Sequence, residues 1–308
     1  MDRRRLIAAG LAGLLAAPAA RAEAPPRRAS RLILLGTGGG PTPKARRSAP
    51  ASAIVVGDAA YVIDCGNGVA RQMVRAGIPL TSLRCVFITH QHSDHNADYG
   101  NLLLLSWAAD LATPVDAYGP PPLARMTDLF LEMNDYDIEA RIKDEGRPPL
   151  KSLIRVHEIS TGGPVMRDSR VKVTAALVDH PPITPAFAYR FDCPDRSIVF
   201  SGDTRPSANL VRLANGADVL VHEVMYGPAM ARLAASEPNA RTLLAHLRAA
   251  HTTAEEVGAV AAAAGVKTLV LNHFVPGGEP AIPDQVWLDA VRPHFAGRII
   301  VGRDLMEI

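Results

Sequence analysis

One segment, His-Gln-His-Ser-Asp-His beginning at His90, places three histidines and an aspartate within six positions. It directly follows Arg84–Thr89, an apolar run with the composition of a buried β-strand. In extended backbone, His90 and His92 emerge on the same side and can bind one metal ion together. Asp94 and His95 fall in the following turn and can face a second ion. The fold must therefore hold this segment in a loop between a buried strand and a helix.

Short runs rich in valine and isoleucine, bounded by Gly, Pro, Asn or Asp, predict the β-strands. These runs are Arg31–Leu35, Ala53–Val56, Ala60–Ile63, Arg84–Thr89, Val171–Val178, Ser197–Ser201, Asp218–His222, Thr268–Leu271 and Arg298–Val301. The predicted helices are Asn96–Asp110, Pro121–Glu145 and a segment that begins with a capping box at Thr253 and ends at Gly265. This alternation predicts one layered α/β domain over residues 32–308. The stretch from Tyr136 to Gly163 is the least regular and is predicted to be an elaboration over the site.

The amino terminus has the pattern of an export signal. Residues 1–22 contain consecutive arginines, a short apolar run and Ala20-Arg21-Ala22, which together resemble a twin-arginine signal. The alternatives are a membrane anchor or a chance basic start. Residues 23–31 are predicted to be a linker, and the mature chain is expected in the periplasm or outside the cell, without a membrane span.

Composition excludes several protein classes. With 48% hydrophobic and 21% charged residues among 308, the chain is neither disordered, collagen-like nor a multi-span membrane protein. Its three cysteines allow at most one disulfide, and Cys85 is predicted to be a small buried residue. Residues 1–22 carry four arginines and one aspartate, so without them the formal charge changes from +2 to −1. A near-neutral chain after residue 22 creates no overall electrostatic field that would attract a polyphosphate such as a nucleic acid.

Further candidate ligands stand at the ends of later strands. Asp179-His180 ends one apolar run, Ser201-Gly202-Asp203-Thr204 ends another, and Asn272-His273 ends a third. Strand ends that share one rim are where layered α/β folds gather functional side chains. Taken alone, His180 and His273 are each as consistent with a structural imidazole as with a ligand.

The full set of motifs resembles the metallo-β-lactamase superfamily. The glycine-rich segment at Gly36 and Ile63-Asp64-Cys65-Gly66 also fit that family's early motifs. Within the superfamily, Ser201-Gly202-Asp203-Thr204-Arg205-Pro206, Val221-His222-Glu223 and His251-Thr252-Thr253 resemble the ribonuclease Z and arylsulfatase-like branch. The resemblance implies a single-domain αββα sandwich with two sheets face to face. It also makes a homodimer one option for assembly.

The resemblance further implies a site for two divalent ions, expected to be zinc. One ion would be bound by His90, His92 and His180, and the other by Asp94, His95 and His273. Asp203 would bridge the two, and because β-lactamases of the superfamily lack such an aspartate, antibiotic hydrolysis is disfavoured.

A water that bridges two zinc ions can attack an ester as hydroxide near neutral pH. Asp94 would orient that water, and the resemblance assigns protonation of the leaving group to Glu223 and His251. From the sequence pattern without the resemblance, Glu223 could equally be a solvated carboxylate at a strand end, and His251 an ordinary residue at the start of a helix. Asp64 is predicted to hold the ligand loop by hydrogen bonds. Arg205 is expected to form an ion pair or to contact an anionic substrate.

Three features argue against a ribonuclease Z: the export signal, the near-neutral body, and the lack of a clear Gly/Pro-rich arm. We therefore expect an exported hydrolase of small sulfate esters or phosphodiesters, similar to arylsulfatases, with nucleic acid not expected as a partner. A lactonase and a tRNA 3′-processing ribonuclease are the alternatives. A non-catalytic zinc-binding or partner-binding module is a further option, but the complete set of seven candidate ligands argues against it.

Overall fold

The computed structural model describes residues 29–235, 240–278 and 281–308. Within these ranges the chain forms two mixed sheets of seven strands each. The predicted export signal and most of the predicted linker lie outside the described residues, and both stay predictions. The linker prediction extends two residues too far, because the first strand already begins at Ser30. No helix in the described ranges is long and apolar enough to cross a membrane.

The first sheet is built mainly from the amino-terminal half. Its strands are β1 (Ser30–Gly36), β2 (Ala51–Val56), β3 (Ala59–Ile63), β4 (Leu83–Phe87), β5 (Val115–Gly119), β6 (Ile154–Glu158) and β14 (Met306–Glu307). Their order across the sheet is β14-β1-β2-β3-β4-β5-β6. The pairs from β14 to β3 are antiparallel, and those from β3 to β6 are parallel.

The second sheet is built from the carboxy-terminal half. Its strands are β7 (Gly163–Arg167), β8 (Lys172–His180), β9 (Ile183–Asp192), β10 (Ser197–Phe200), β11 (Val219–Met225), β12 (Thr268–Val275) and β13 (Arg298–Val301). Their order is β13-β12-β11-β10-β9-β8-β7. The four strands from β10 to β13 are parallel. Their carboxyl ends therefore meet at one rim.

Helices connect the strands. They are α1 (Val69–Arg75), α2 (Ser93–Asn96), α3 (Tyr99–Ala108), α4 (Leu123–Met133), α5 (Asp135–Glu145), α6 (Ala208–Leu213), α7 (Gly227–Ala235), α8 (Ala240–Ala250), α9 (Ala254–Ala264) and α10 (Asp284–Val291). The predicted capping box of α9 is confirmed, since Thr253 and Glu256 cap each other reciprocally. Gly265 ends the helix in the left-handed region at φ +63°.

The layers are those of an αββα sandwich, as expected. Apolar side chains from the inner faces of both sheets form one core, in which Phe87 of the first sheet contacts the rings of Tyr189 and Phe191 of the second. Helices α1 and α3 cover the outer face of the first sheet. Helices α6, α9 and α10 cover that of the second. Cys65, Cys85 and Cys193 are all unpaired, and Cys85 is buried as predicted.

One predicted helix is divided in two, and another is confirmed with shorter bounds. The single helix predicted over Pro121–Glu145 is wrong, because α4 ends and α5 begins at Asn134. Asn134 leaves helical geometry, with φ −109° and ψ 12°, and its side chain donates to the carbonyl of Phe130. The predicted helix Asn96–Asp110 is confirmed as α3, Tyr99–Ala108, and the short helix α2 precedes the predicted range except for Asn96.

The prediction for the stretch from Tyr136 to Gly163 is also wrong. It contains α5 and the edge strand β6, which pairs in parallel with β5, rather than an irregular elaboration. Residues of β6 and β7 are partly exposed, so they lack the apolar run that marks the interior strands. Strand β9 carries Pro185, a residue that argues against a strand in sequence.

Candidate metal centre

The loop after β4 carries the His-Gln-His-Ser-Asp-His segment. The strand ends at Phe87, two residues earlier than predicted, and α2 begins at Ser93. The carboxylate of Asp64 accepts hydrogen bonds from the backbone N–H of Thr89 at 2.8 Å and from His95 Nδ1 at 2.8 Å. The prediction that Asp64 holds the ligand loop is confirmed by these bonds.

Three histidines converge on one point beside this loop. His92 Nδ1 lies 3.0 Å from His90 Nε2 and 3.1 Å from His180 Nε2. His180 is the last residue of β8, and its Nδ1 donates to the carbonyl of Ala250 at 2.9 Å. That bond fixes the ring and leaves its Nε2 directed at the other two histidines. The predicted first ligand set is thus brought together.

A second group converges beside the first. His273 Nε2 lies 3.1 Å from Asp203 Oδ2 and 3.4 Å from Asp94 Oδ2. His95 Nε2 lies 3.4 Å and 3.6 Å from the same two oxygens. Asp203 Oδ2 is also 3.9 Å from His90 Nε2, so this oxygen lies between the two sets. This is the position expected of a bridging carboxylate.

His273 reaches the site through an irregularity in the second sheet. In the pairing of β11 with β12, Glu223 opposes Asn272 and Val224 opposes Phe274, which leaves His273 as an extra residue. Its φ of +44° places it in the left-handed region. A β-bulge of this kind redirects a side chain. Gly39 lies so close that a Cβ there would be 2.6 Å from His273 Nδ1, which explains glycine at that position.

The residues fit divalent metal ions. His95 Nε2 and Asp203 Oδ1 are buried and have no hydrogen-bond partner among the described residues. Buried polar atoms are normally hydrogen-bonded, so unsatisfied atoms within a cluster of imidazoles and carboxylates indicate a missing ligand. The ligand atoms of His90, His92 and His180 lie within 4.8 Å of one another, and so do those of Asp94, His95 and His273. Imidazole and carboxylate suit zinc and similar ions.

Burial and mutual charge shift the pKa values of these groups. Burial lowers the pKa of His180 to about 4 and that of His90 well below its usual value, which favours the neutral imidazoles that metals bind. Burial opposes ionisation of Asp203, but His273 and His95 outweigh it and lower the pKa of this carboxyl well below its usual value. Asp203 in turn raises the pKa of His95 in spite of burial.

Glu223 and His251 form a buried pair at the edge of the cluster. Glu223 Oε2 accepts from His251 Nδ1 at 2.8 Å, and Glu223 Oε1 accepts from the backbone N–H of Thr204 at 2.7 Å. Burial raises the pKa of Glu223, whereas the Glu223 carboxylate raises the pKa of His251 in spite of burial. A ring nitrogen of His251 lies within 4.8 Å of ligand atoms of His180 and Asp203. The pair is therefore placed to exchange a proton with a group bound in the cluster.

One histidine at this site, His246, is not among the candidates that the sequence pattern predicts. His246 of α8 lies with its ring centroid 6.2 Å from that of His92, 6.0 Å from that of His180 and 5.9 Å from that of His251. Its side chain is half-buried. The sequence gives no sign of this beyond its position five residues before His251, because the approach depends on how α8 packs.

A basic cavity of about 230 Å³ adjoins the glycine-rich loop. Lys44, Arg47, Arg71 and Arg75 are among its lining residues, and the described lining contains no acidic side chain. The loop is joined to the metal cluster, since the backbone N–H of Gly40 donates to Asp94 Oδ2 at 2.9 Å. Arg205 is exposed and forms no ion pair within the described residues, so the ion-pair alternative for it is not supported.

Residues 60–274 match the family model described as "Beta-lactamase superfamily domain". The chain is 35% identical over 280 residues to ribonuclease Z of Mycobacterium bovis (strain BCG / Pasteur 1173P2), covering 90% of this chain and 97% of that protein. It is 34% identical over 283 residues to ribonuclease Z of Mycobacterium avium (strain 104), with the same coverage.

Solved structures share the fold. The metallo-β-lactamase fold protein YhfI from Bacillus subtilis superimposes with a TM-score of 0.66 at 20% identity, covering 91% of this chain and 98% of that chain. The short form of human tRNase Z gives a TM-score of 0.65 at 20% identity, covering 90% and 98%. Zn²⁺-bound PqqB from Methylobacterium extorquens gives 0.66 at 15% identity, covering 90% and 99%.

These comparisons overturn two expectations from the sequence. The expected preference for an exported hydrolase of small sulfate esters, phosphodiesters or lactones over a ribonuclease is wrong, because the relatives matched along nine-tenths of the chain are ribonucleases Z. The broader expectation of a metal-dependent hydrolase of ester bonds agrees with those relatives. The expectation that nucleic acid is not a partner is wrong for the same reason. The expected superfamily and fold are confirmed.

Proposed function

The chain belongs to the metallo-β-lactamase superfamily and, within it, to the ribonuclease Z family, and on that premise we propose that it is a metal-dependent ribonuclease that cleaves phosphodiester bonds in precursor tRNA. The observation that carries the proposal is the 35% identity to a ribonuclease Z over 90% of the chain. The convergence of the seven candidate ligands in two adjacent sets, with Asp203 Oδ2 between them, supports it, because such a cluster suits phosphodiester hydrolysis.

Two divalent ions, with zinc as the proposed identity, would be held by the two sets of side chains. The ligands would be His90, His92 and His180 for one ion, Asp94, His95 and His273 for the other, and Asp203 for both. When bound, such ions lower the pKa of water and polarise the phosphoryl oxygen.

The chain's own residues supply orientation and proton transfer. Asp94 Oδ2 accepts from the backbone N–H of Gly40 and lies 3.4 Å from His273 Nε2, so the carboxylate has one fixed orientation toward the attacking water. His251 is the proposed donor of a proton to the leaving oxygen, and Glu223 holds its Nδ1 so that Nε2 faces the cluster. General acid catalysis of this kind typically contributes 10²–10⁴-fold.

The charge argument against RNA fails because net charge is an average over the whole surface. The basic residues that line the cavity beside the glycine-rich loop, Lys44, Arg47, Arg71 and Arg75, make that part of the surface positive although the body is near neutral. Phosphate binding responds to the local cluster of Lys and Arg within about 10 Å at physiological salt. The cavity therefore supports the binding of an RNA backbone next to the metal cluster.

The proposal is tested by incubating the purified full chain, loaded with zinc, with a precursor tRNA that carries a 3′ trailer. We expect a discrete cleavage that a chelator abolishes and that zinc restores. Parallel assays with p-nitrophenyl sulfate and a simple lactone serve as controls for the small-ester activity. An intact precursor tRNA, together with turnover of either small ester, would contradict the proposed function.

A further inference from the structure

His246 lies at the rim of the metal cluster, between the first ligand set and His251. Its ring is about equally far from His92 and His180, which belong to the first ligand set, and from His251 of the proton-donating pair. The planes of the His246 and His251 rings are inclined by 87°, and those of His246 and His92 by 81°. A phosphodiester bound between the ligand sets and His251 would lie beside His246, whose ring centroid is 6.2 Å, 6.0 Å and 5.9 Å from those of His92, His180 and His251.

Helix α8 holds His246 in this position. One helical turn further along, the carbonyl of Ala250 accepts a hydrogen bond from His180 Nδ1 at 2.9 Å. The next residue after His246, Leu247, is buried in a small apolar cluster with Met225 and Val275. The helix is thus fixed both to the ligand set and to the second sheet.

The imidazole of His246 is not used by the protein itself. Within the described ranges it makes ring contacts but no hydrogen bond, and it belongs to none of the groups of convergent ligand atoms. Its half-buried side chain is accessible from solvent. A neutral imidazole still carries one N–H donor, so it can donate to an anionic oxygen in either protonation state.

We propose that His246 is a substrate-binding residue that donates a hydrogen bond to an oxygen of the phosphodiester bound between the ligand sets and His251. The inference rests on the proposed function for the class of substrate. It assigns His246 no part in metal binding or proton transfer. Removing it should therefore weaken substrate binding while leaving the metal content unchanged.

The test compares His246→Ala and His246→Gln with wild type in the zinc-loaded full chain. Alanine suits a helix position that is partly exposed, so the fold should persist, and glutamine retains an N–H donor. The matched control is His157→Ala, because His157 of the edge strand β6 contacts Asp116 and Tyr118 of β5 instead of the cluster. Binding is measured by calorimetry with a dinucleotide whose bridging oxygen is replaced by methylene, alongside zinc content and KM for bis-p-nitrophenyl phosphate.

We expect His246→Ala to weaken binding of the analogue and to raise KM by about tenfold, the usual loss for one hydrogen bond to a charged group. Zinc content and kcat should stay near wild type, His246→Gln should recover most of the affinity, and His157→Ala should have no effect. Unchanged binding in His246→Ala, or loss of zinc from it, would overturn the inference. If wild type leaves precursor tRNA intact yet His246→Ala still weakens analogue binding, the RNA assignment fails and the role of His246 stands.

Discussion

The Asp64 carboxylate lies 2.8 Å from Nδ1 of His95 and accepts its hydrogen. Because an ionised carboxylate can only accept, the His95 ring carries its proton on Nδ1 and presents Nε2 to Asp203 Oδ2 at 3.4 Å. Asp64 itself has a φ of +60°, a left-handed conformation that aspartate and asparagine tolerate better than most residues. Asp64, the first residue after β3, thus sets the tautomer and the orientation of His95, a candidate metal ligand.

Replacing Asp64 with asparagine tests this relationship. The amide keeps the shape and the backbone conformation but removes the charge that fixes the His95 tautomer. We expect zinc affinity to fall by about 10- to 100-fold, as is typical when the partner of a metal-binding histidine is changed. Competition with a chromophoric chelator measures the affinity. Asp116→Asn is the matched control, since Asp116 accepts from His157 at the sheet edge and should leave zinc binding unaltered.

Replacing Asp203 is expected to reduce metal binding and cleavage more than replacing Asp64, because Asp203 Oδ2 lies between the two ligand sets. Asp203→Asn should lower the zinc content by about one ion per chain and reduce cleavage of precursor tRNA by at least about a hundredfold, more than the loss of an outer partner. Metal analysis and single-turnover cleavage measure the two effects. A variant that retained full zinc content and wild-type cleavage would remove Asp203 from the site.

His251 and Glu223 should show an effect that depends on the leaving group. We expect His251→Asn to slow RNA cleavage by about 10²–10⁴-fold, because the departing alkoxide needs a proton. Hydrolysis of bis-p-nitrophenyl phosphate should fall much less, since nitrophenolate leaves without protonation. Equal losses on both substrates would show that His251 acts on the metal cluster or the fold rather than on the leaving group.

Asp218 provides a pH-dependent contribution to stability away from the site. A hydrogen bond from Lys267 and bonds from Ser197 lower its pKa to about 2. Because the folded pKa lies below the unfolded value of about 3.9, the stabilisation is complete above that value and is lost as the pH falls toward 2. Asp218→Asn should therefore lower the free energy of unfolding at pH 6 by under about 1 kcal/mol, as for an exposed pair. Urea unfolding of the metal-free chain should show this difference shrinking at pH 3.5.

Much of the fold follows from the chain's apolar pattern. Interior strands such as β2, β3 and β10 are short, buried runs with turn residues at their ends, and the capping box at Thr253 with Gly265 marks α9. All the candidate ligands except His273 end or follow a strand, whereas His273 lies inside β12, and the structure brings all seven together. Their assignment to metal ions stays a prediction, as do the export signal and a homodimer.

The misses have physical causes. Strands β6 and β7 lie at sheet edges, and the break between α4 and α5 is made by the backbone of one residue, Asn134. The position of His246 depends on how α8 packs against the site. The direction of the His273 side chain depends on a β-bulge that forms only when β11 pairs with β12. The substrate class was misjudged because a net charge conceals a local basic cavity.

The most direct test of the account is to titrate the metal-free full chain with zinc while following cleavage of a precursor tRNA with a 3′ trailer. We expect cleavage to rise as zinc binds, to reach its maximum near two ions per chain, and to give a discrete RNA product. Full zinc loading with an intact RNA would contradict the proposed ribonuclease activity, and cleavage that is independent of zinc would contradict the metal centre.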